Sequence, residues 1–461
     1  MVDAVNNADK YKNSGAQSPL YTATRDEERQ TTMPHLTSFI RPLALAALFG
    51  LGATGAWAAE PIHQVSSEVC KNCHQEIYKQ WAGSMHAQAS AMKDPIHAAF
   101  YQSEVGSPTE EGQVAKANQK YPVCLACHAP NAARDKTTKL DAKPAYAEGV
   151  NCVACHTLAK YKGINDEGGK LRLGISAYEL ADKIQAPTGL NLGLKKLTAG
   201  SDPFGGAGAG GDQKPNPHLG EPVEFQGQKI PGLPMEGNPS LMRSNDACMG
   251  CHDKRNNPHG VALCGTGDEY VQSRTQVTCI SCHMPLSGGL SDHSLGGGHA
   301  QAMLERSVLF DLKAQPKGDK LAVDVSMTNQ QPHILPTGAP FRNMFLKVMA
   351  YNGKGEVVWQ STKGHPSEDD PQAYMFLTLV DDEGKPVPPP QAKKAGADTR
   401  LKPHETRVLS YEIPAKDVVL VRGELYYNLL WPSLAKKFTQ LPDELKQPVL
   451  MAEAEKEIAK P

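Results

Sequence analysis

In the last third of the chain, apolar and polar positions alternate at the period of a strand. Leu321-Ala-Val-Asp-Val-Ser-Met327 puts Leu321, Val323, Val325 and Met327 on one face. The same texture predicts strands over Ser307–Leu312, Leu321–Met327, Met344–Tyr351, Val357–Gln360, Thr406–Ile413 and Gly423–Asn428. Asn352-Gly353 and Glu383-Gly384 are turn pairs between them. Strands at such intervals, with no cysteine among them, predict an antiparallel β-sandwich domain over 305–440. The charged stretch that follows, 441–461, is expected to form a C-terminal helical tail.

The preceding part, 59–304, reads as short helical and irregular pieces joined by Gly/Pro loops, so the whole is α+β. From Gln75 to Met92 the apolar residues Ile77, Trp81 and Met85 fall at helical spacing. Met303 and Leu304 are expected on a later short helix. The span 199–220 is rich in Gly and Pro and must be irregular, with His218 near its end. At the N-terminal side, Arg41, the apolar run Leu43–Leu51 and the small-x-small Ala56-Trp57-Ala58 form a secretory signal over 33–58. The polar 1–32 stretch reads as an extension from a start assigned too early, with Met33 the start expected. The mature chain is expected to begin near Ala59, in the periplasm or outside the cell.

Cysteine supplies the chemistry. Ten of the 11 cysteines fall into five copies of Cys-x-x-Cys-His: Cys70-Cys73-His74, Cys124-Cys127-His128, Cys152-Cys155-His156, Cys248-Cys251-His252 and Cys279-Cys282-His283. Two thiols at this spacing form thioethers with the vinyl groups of one porphyrin edge, and the adjacent histidine reaches the iron. Zinc ribbons pair two CxxC units, and five is an odd number of halves. A thioredoxin-like site needs a single CxxC beside a βαβ pattern. A disulfide framework gives no reason for histidine after every second cysteine. The reading is therefore five covalent c-type hemes. Cys264 is left over; it reads as a buried small hydrophobe or as a free thiol.

Net charge is −2, so no nucleic-acid footprint is implied. No segment of the mature chain reaches the ~18 apolar residues a membrane helix requires, so any membrane association is expected through partners.

Several segments resemble multiheme cytochromes. CKNCHQEIYKQWAGSMHAQA, with its His74–Trp81–His86 spacing, resembles the first heme segment of the tetraheme cytochrome c of the hydroxylamine oxidation pathway. EGVNCVACH over 148–156 resembles another heme segment of that family. CISCHMP followed by Asp292-His293-Ser294 is similar to a closing heme segment of wider multiheme proteins. NQQPHILPTGAP over 329–340 resembles a strand-loop of the β-domain often appended to them, with Pro332 where that motif usually shows Gly. A fifth heme and the β-domain set this chain apart from the tetraheme protein.

Each iron needs a second axial ligand. The resemblance implies that role for His86. His293 and His299, flanking Gly296-Gly297-Gly298, are candidates, as are His218, His259 and His333. His333 would tie the β-domain to the hemes. His63, His97, His365 and His404 are expected to be structural or exposed. The expected function is electron transfer with redox protein partners, cytochromes on the quinol-oxidase or terminal-reductase side, and homo-oligomers are compatible with it. The alternatives are an oxidoreductase with one open heme acting on a small nitrogen or sulfur compound, and a subunit of an extracellular cytochrome filament.

Overall fold

The computed structural model describes residues 60–188 and 216–459. The expected start extension, the leader and most of the 199–220 loop lie outside the described residues. Among the described residues no helix is long and apolar enough to cross a membrane.

The strand alternation folds as it reads. One sheet of the sandwich runs Val308–Lys317, Lys320–Asn329, Thr406–Pro414, all antiparallel. The other runs Val357–Gln360, Asn343–Tyr351, Leu420–Asn428, Val449–Glu457, with Tyr374–Met375 also paired to Asn343–Tyr351. Leu321, Val323, Val325 and Met327 are each 1% exposed or less and share one core with Met344, Leu346, Val348, Val421 and Leu425. Full burial of such a side chain contributes about 1.5–3 kcal/mol, so this face alone fixes the register of its strand. A one-residue slip would carry all four to solvent.

The expected helical tail is instead a strand. Val449–Glu457 pairs antiparallel with Leu420–Asn428, and the sandwich extends past 440 to 457. Ala, Glu and Lys favour a helix. Here Met451 is buried, while Glu453, Glu455 and Glu457 alternate with smaller or half-buried neighbours at period two. Pairing with a central strand, and the Arg422–Glu455 ion pair across it, override the local propensity. Three short strands, Tyr374–Met375, Leu377–Val380 and Lys394–Asp398, were not expected from the pattern.

In the cysteine-rich part the helices span one to three turns. The helix expected over 75–92 breaks into Gln75–Ala82 and Met85–Gln88, because Ser84 turns the chain and accepts the Ala87 amide at 3.3 Å. The short helix expected around Met303 is Gln301–Glu305. The two regions belong to one compact unit. Ile96, Ala99 and Leu304 enter the sandwich core, and Phe100 stacks on Phe341 at 5.2 Å with Phe438 edge-on at 5.0 Å. Asn257 adds amide bonds to the carbonyls of Pro389 (2.9 Å) and Ala392 (2.7 Å).

Candidate functional site

Each attachment motif lies on or beside one short helix. Cys152–Cys155 and Cys279–His283 are single turns capped by Asn151 and Thr278. The other three are carried by Ser67–Lys71, Leu125–His128 and Asp246–His252. On such a turn, residues three apart share a face, so both thiols of a motif point the same way.

Three of the five motif imidazoles are oriented by backbone carbonyls. His128 Nδ1 faces the Ala89 carbonyl at 3.1 Å, His156 Nδ1 that of Gln185 at 2.9 Å, and His283 Nδ1 that of Gly296 at 2.7 Å. A donated Nδ1–H fixes the tautomer and leaves Nε2 free to bind a metal. The same device holds His218 on Leu233 (3.1 Å), His293 on Ser291 (2.7 Å) and His333 on Ile334 (3.0 Å). Burial pushes the His86 imidazole down to about 3 and holds His156 and His333 below the usual histidine range. All are neutral at pH 7, the ligating form.

Two histidine pairs have the separation an intervening iron demands. His74 and His218 are 6.1 Å apart between ring centroids, and His86 and His252 are 5.9 Å apart. Two metal–imidazole bonds of ~2 Å, plus ~1 Å from each nitrogen to its ring centre, give roughly 6 Å. His293 lies in the electrostatic field of both His74 and His156, and His333 in that of His283.

The helix that carries His86 is itself held. Trp81 Nε1 donates to the Val150 carbonyl at 2.9 Å, and the Val150 amide donates to the His86 carbonyl at 2.9 Å. Gly149, at φ +70°, lies so close that a Cβ there would be 2.4 Å from the His86 carbonyl oxygen. The Glu-Gly-Val segment before the third motif is thus a seat for His86, whose ring faces that of the fourth motif's His252.

Cysteines of different motifs meet. Cys70 is within hydrogen-bonding reach of Cys152, Cys127 of Cys251, and Cys248 of Cys279. Cys155 lies close enough to Cys248 and Cys251 to act on both. With the sulfurs converted to thioethers no such hydrogen bond exists; the proximity is what matters. Sites 1 and 3, 3 and 4, 2 and 4, and 4 and 5 are therefore neighbours.

Residues 69–157 match the family described as cytochrome c554 and c-prime. The crystal structure of a penta-heme cytochrome c552 from Thermochromatium tepidum is 61% identical, covers 87% of this chain and 100% of its own, and superposes with a TM-score of 0.81. The chain belongs to the multiheme c-type cytochromes. No curated protein matches the sequence. A DUF1425 family member from Shewanella sp. pv-4, at 14% identity over 26% of this chain and 74% of its own, has a TM-score of 0.14 and carries no argument.

This multiheme cytochrome binds five c-type hemes covalently, and the motif geometry fits that load. Two sequence candidates have other neighbours. His259 is exposed on a turn, its ring nitrogens 3.1 and 3.4 Å from Lys393 Nζ. His299 sits beside Arg342, on the sandwich side. Of the triple glycine, Gly296 serves His283, while Gly298 packs so tightly on Tyr427 and Arg342 that a Cβ would be 2.3 Å from the Tyr427 hydroxyl. His97, expected to be structural or exposed, is 8% exposed and lies 4.0 Å from His128 between ring centroids. Nothing in its spacing signalled this. Both rings direct Nδ1 at the same Ala89 carbonyl, His97 at 2.9 Å and His128 at 3.1 Å. Tyr178 was also missed: its hydroxyl receives the Gly250 amide at 2.9 Å and donates to the Asp246 carbonyl at 2.8 Å, tying the fourth motif to the strand after the third.

Proposed function

We propose that the protein is an exported electron relay whose five sites form a path 1–3–4 that forks at site 4 to sites 2 and 5. The observation that carries this reading is the meeting of cysteines from different motifs. Bound heme supplies a one-electron iron couple. The chain's contribution is to hold porphyrin edges adjacent, because tunnelling falls off steeply with distance. His218 serves as second ligand at site 1, His293 at site 3, His86 at site 4 and His333 at site 5. Bis-imidazole ligation suits outer-sphere transfer, and burial tunes each potential. The partners are redox proteins rather than nucleic acid, and the match over 69–157 supports kinship with the tetraheme cytochrome of hydroxylamine oxidation. The signal-like 33–58 segment supports the periplasm or the cell exterior. Stopped-flow reduction tests the path: His86→Ala should slow re-equilibration among the hemes while all five stay attached. Unchanged kinetics would contradict the fork at site 4.

A second reading rests on His97. Its ring stands 4.0 Å from that of His128, closer than the roughly 6 Å of two rings sharing an iron, and this reading takes the second position at site 2 as open. An open position there supports binding of a small nitrogen compound. Titration with nitric oxide or hydroxylamine, followed by the Soret band, tests it; absence of any spectral change would count against it.

A further inference from the structure

We infer that Glu269 is a positioning residue that holds His333 at the fifth attachment site. The inference rests on the reading of His333 as the second ligand opposite His283. Glu269 lies on the helix Thr266–Ser273, which links the fourth and fifth motifs, yet its carboxylate is directed at the β-domain. It is 9% exposed. Its Oε2 accepts the Thr337 hydroxyl at 2.5 Å and the Ile334 amide at 3.2 Å. The Ile334 carbonyl in turn receives His333 Nδ1 at 3.0 Å. One carboxylate of the heme region thus holds both the residue after His333 and the residue four positions beyond it.

The remaining contacts anchor the carboxylate and the loop from the other side. Arg400, 11% exposed at its side chain, has NH1 3.5 Å from Glu269 Oε1 and donates to Asp398 at 2.8 Å from both Nε and NH2. Arg400 also donates to the Pro336 carbonyl at 3.3 Å, and Thr266 meets Thr337 at 2.9 Å between hydroxyls. Asn329 Nδ2 donates to the His333 carbonyl at 2.9 Å, and Leu335 and Leu401 exchange backbone bonds at 2.9 Å. The β-sandwich therefore fixes the loop, and Glu269 fixes where that loop meets the heme region. A ligand on a loop needs such support, since a metal site is lost when its supporting shell is loose by ~1 Å. A buried carboxylate with an arginine partner is costly to desolvate, which makes a purely adhesive role at this interface a poor use of it.

The test compares four variants of the full holoprotein by electron paramagnetic resonance of the oxidised state, redox titration and intact mass. His333→Ala should turn one low-spin heme high-spin, with five hemes still attached. Glu269→Ala should reproduce most of that loss and shift the midpoint potential of the same heme. Glu269→Gln keeps an acceptor for Ile334 and should restore the low-spin signal. If His333→Ala leaves every iron unchanged, the ligand reading itself fails and the inference goes with it. If His333→Ala converts one heme but Glu269→Ala does not, the ligand reading stands and the positioning role is overturned. Should Glu269→Ala fail to fold, Thr337→Val decides: it removes one donor from the clamp, and an unaltered signal and potential at that heme would overturn the inference.

Discussion

Substituting Gly149 with alanine should perturb His86, the second ligand proposed at site 4, through the His86 backbone. Gly149 has φ +70°, where an alanine Cβ costs about 1–2 kcal/mol. That Cβ would stand 2.4 Å from the His86 carbonyl oxygen and 2.9 Å from the Ala89 amide nitrogen. Both neighbours are backbone, so no flexible side chain can yield. The turn that carries His86 must move, and the bond from the Val150 amide to the His86 carbonyl, 2.9 Å long, must stretch or break. Overpacking of this kind adds about 1–3 kcal/mol, for a total of roughly 2–5 kcal/mol. Because the displaced oxygen belongs to His86 itself, the damage should centre on site 4, with a lesser effect at site 2 through Ala89, whose carbonyl holds His128. Differential scanning calorimetry should show a lowered Tm, and electron paramagnetic resonance a high-spin fraction at one heme. A Gly149→Ala protein with wild-type Tm and an unaltered low-spin spectrum would refute the reasoning.

Gly250→Ala should destabilise the fourth motif, since its Cβ would fall 2.2 Å from the Tyr178 ring. Pairing it with Tyr178→Leu should recover part of the lost Tm, and no recovery would mean that the ring is not the obstacle. Leu346→Ala, at a fully buried sandwich position, should cost about 2–5 kcal/mol in chemical unfolding; a loss below 1 kcal/mol would argue against the core described. Burial pushes the Asp135 carboxyl up, but hydrogen bonds from Tyr146, Gln64 and His63 outweigh it and hold it below its ordinary 3.8. A depressed folded value means stability present above about pH 3.8 that is lost as pH falls through the folded value. Asp135→Asn should therefore be less stable than wild type above that window and converge with it below, and a gap independent of pH would contradict the sign. Edman sequencing of the native exported protein should begin close to Ala59; a native start at Met1 would overturn the leader reading.

The attachment chemistry was legible because it is covalent and local: thiol, thiol and imidazole must follow one another within five residues. The sandwich was legible where alternation was long, as at Leu321–Met327. It was missed at Val449–Glu457, where helix-favouring residues pair with a strand distant in sequence. Second ligands were only partly legible. His86 and His218 are paired with motif imidazoles, whereas His259 and His299 carry no spacing that distinguishes them and stand beside Lys393 and Arg342. The neighbour relations of the sites, set by contacts such as Cys70 with Cys152 and Cys127 with Cys251, depend on tertiary packing across some 80 to 120 residues and leave no local mark. Gly250 shows the same limit: the Tyr178 ring packed against it comes from 72 residues earlier in the chain.

The central claim is a relay of bis-imidazole sites, and quantitative electron paramagnetic resonance of the fully oxidised protein tests it most directly. The account predicts low-spin signals integrating to at least sites 1, 3, 4 and 5, with site 2 high-spin under the second reading. Five low-spin hemes would keep the relay and remove the second reading. High-spin signals at two or more sites would contradict the ligand assignments on which the relay is built.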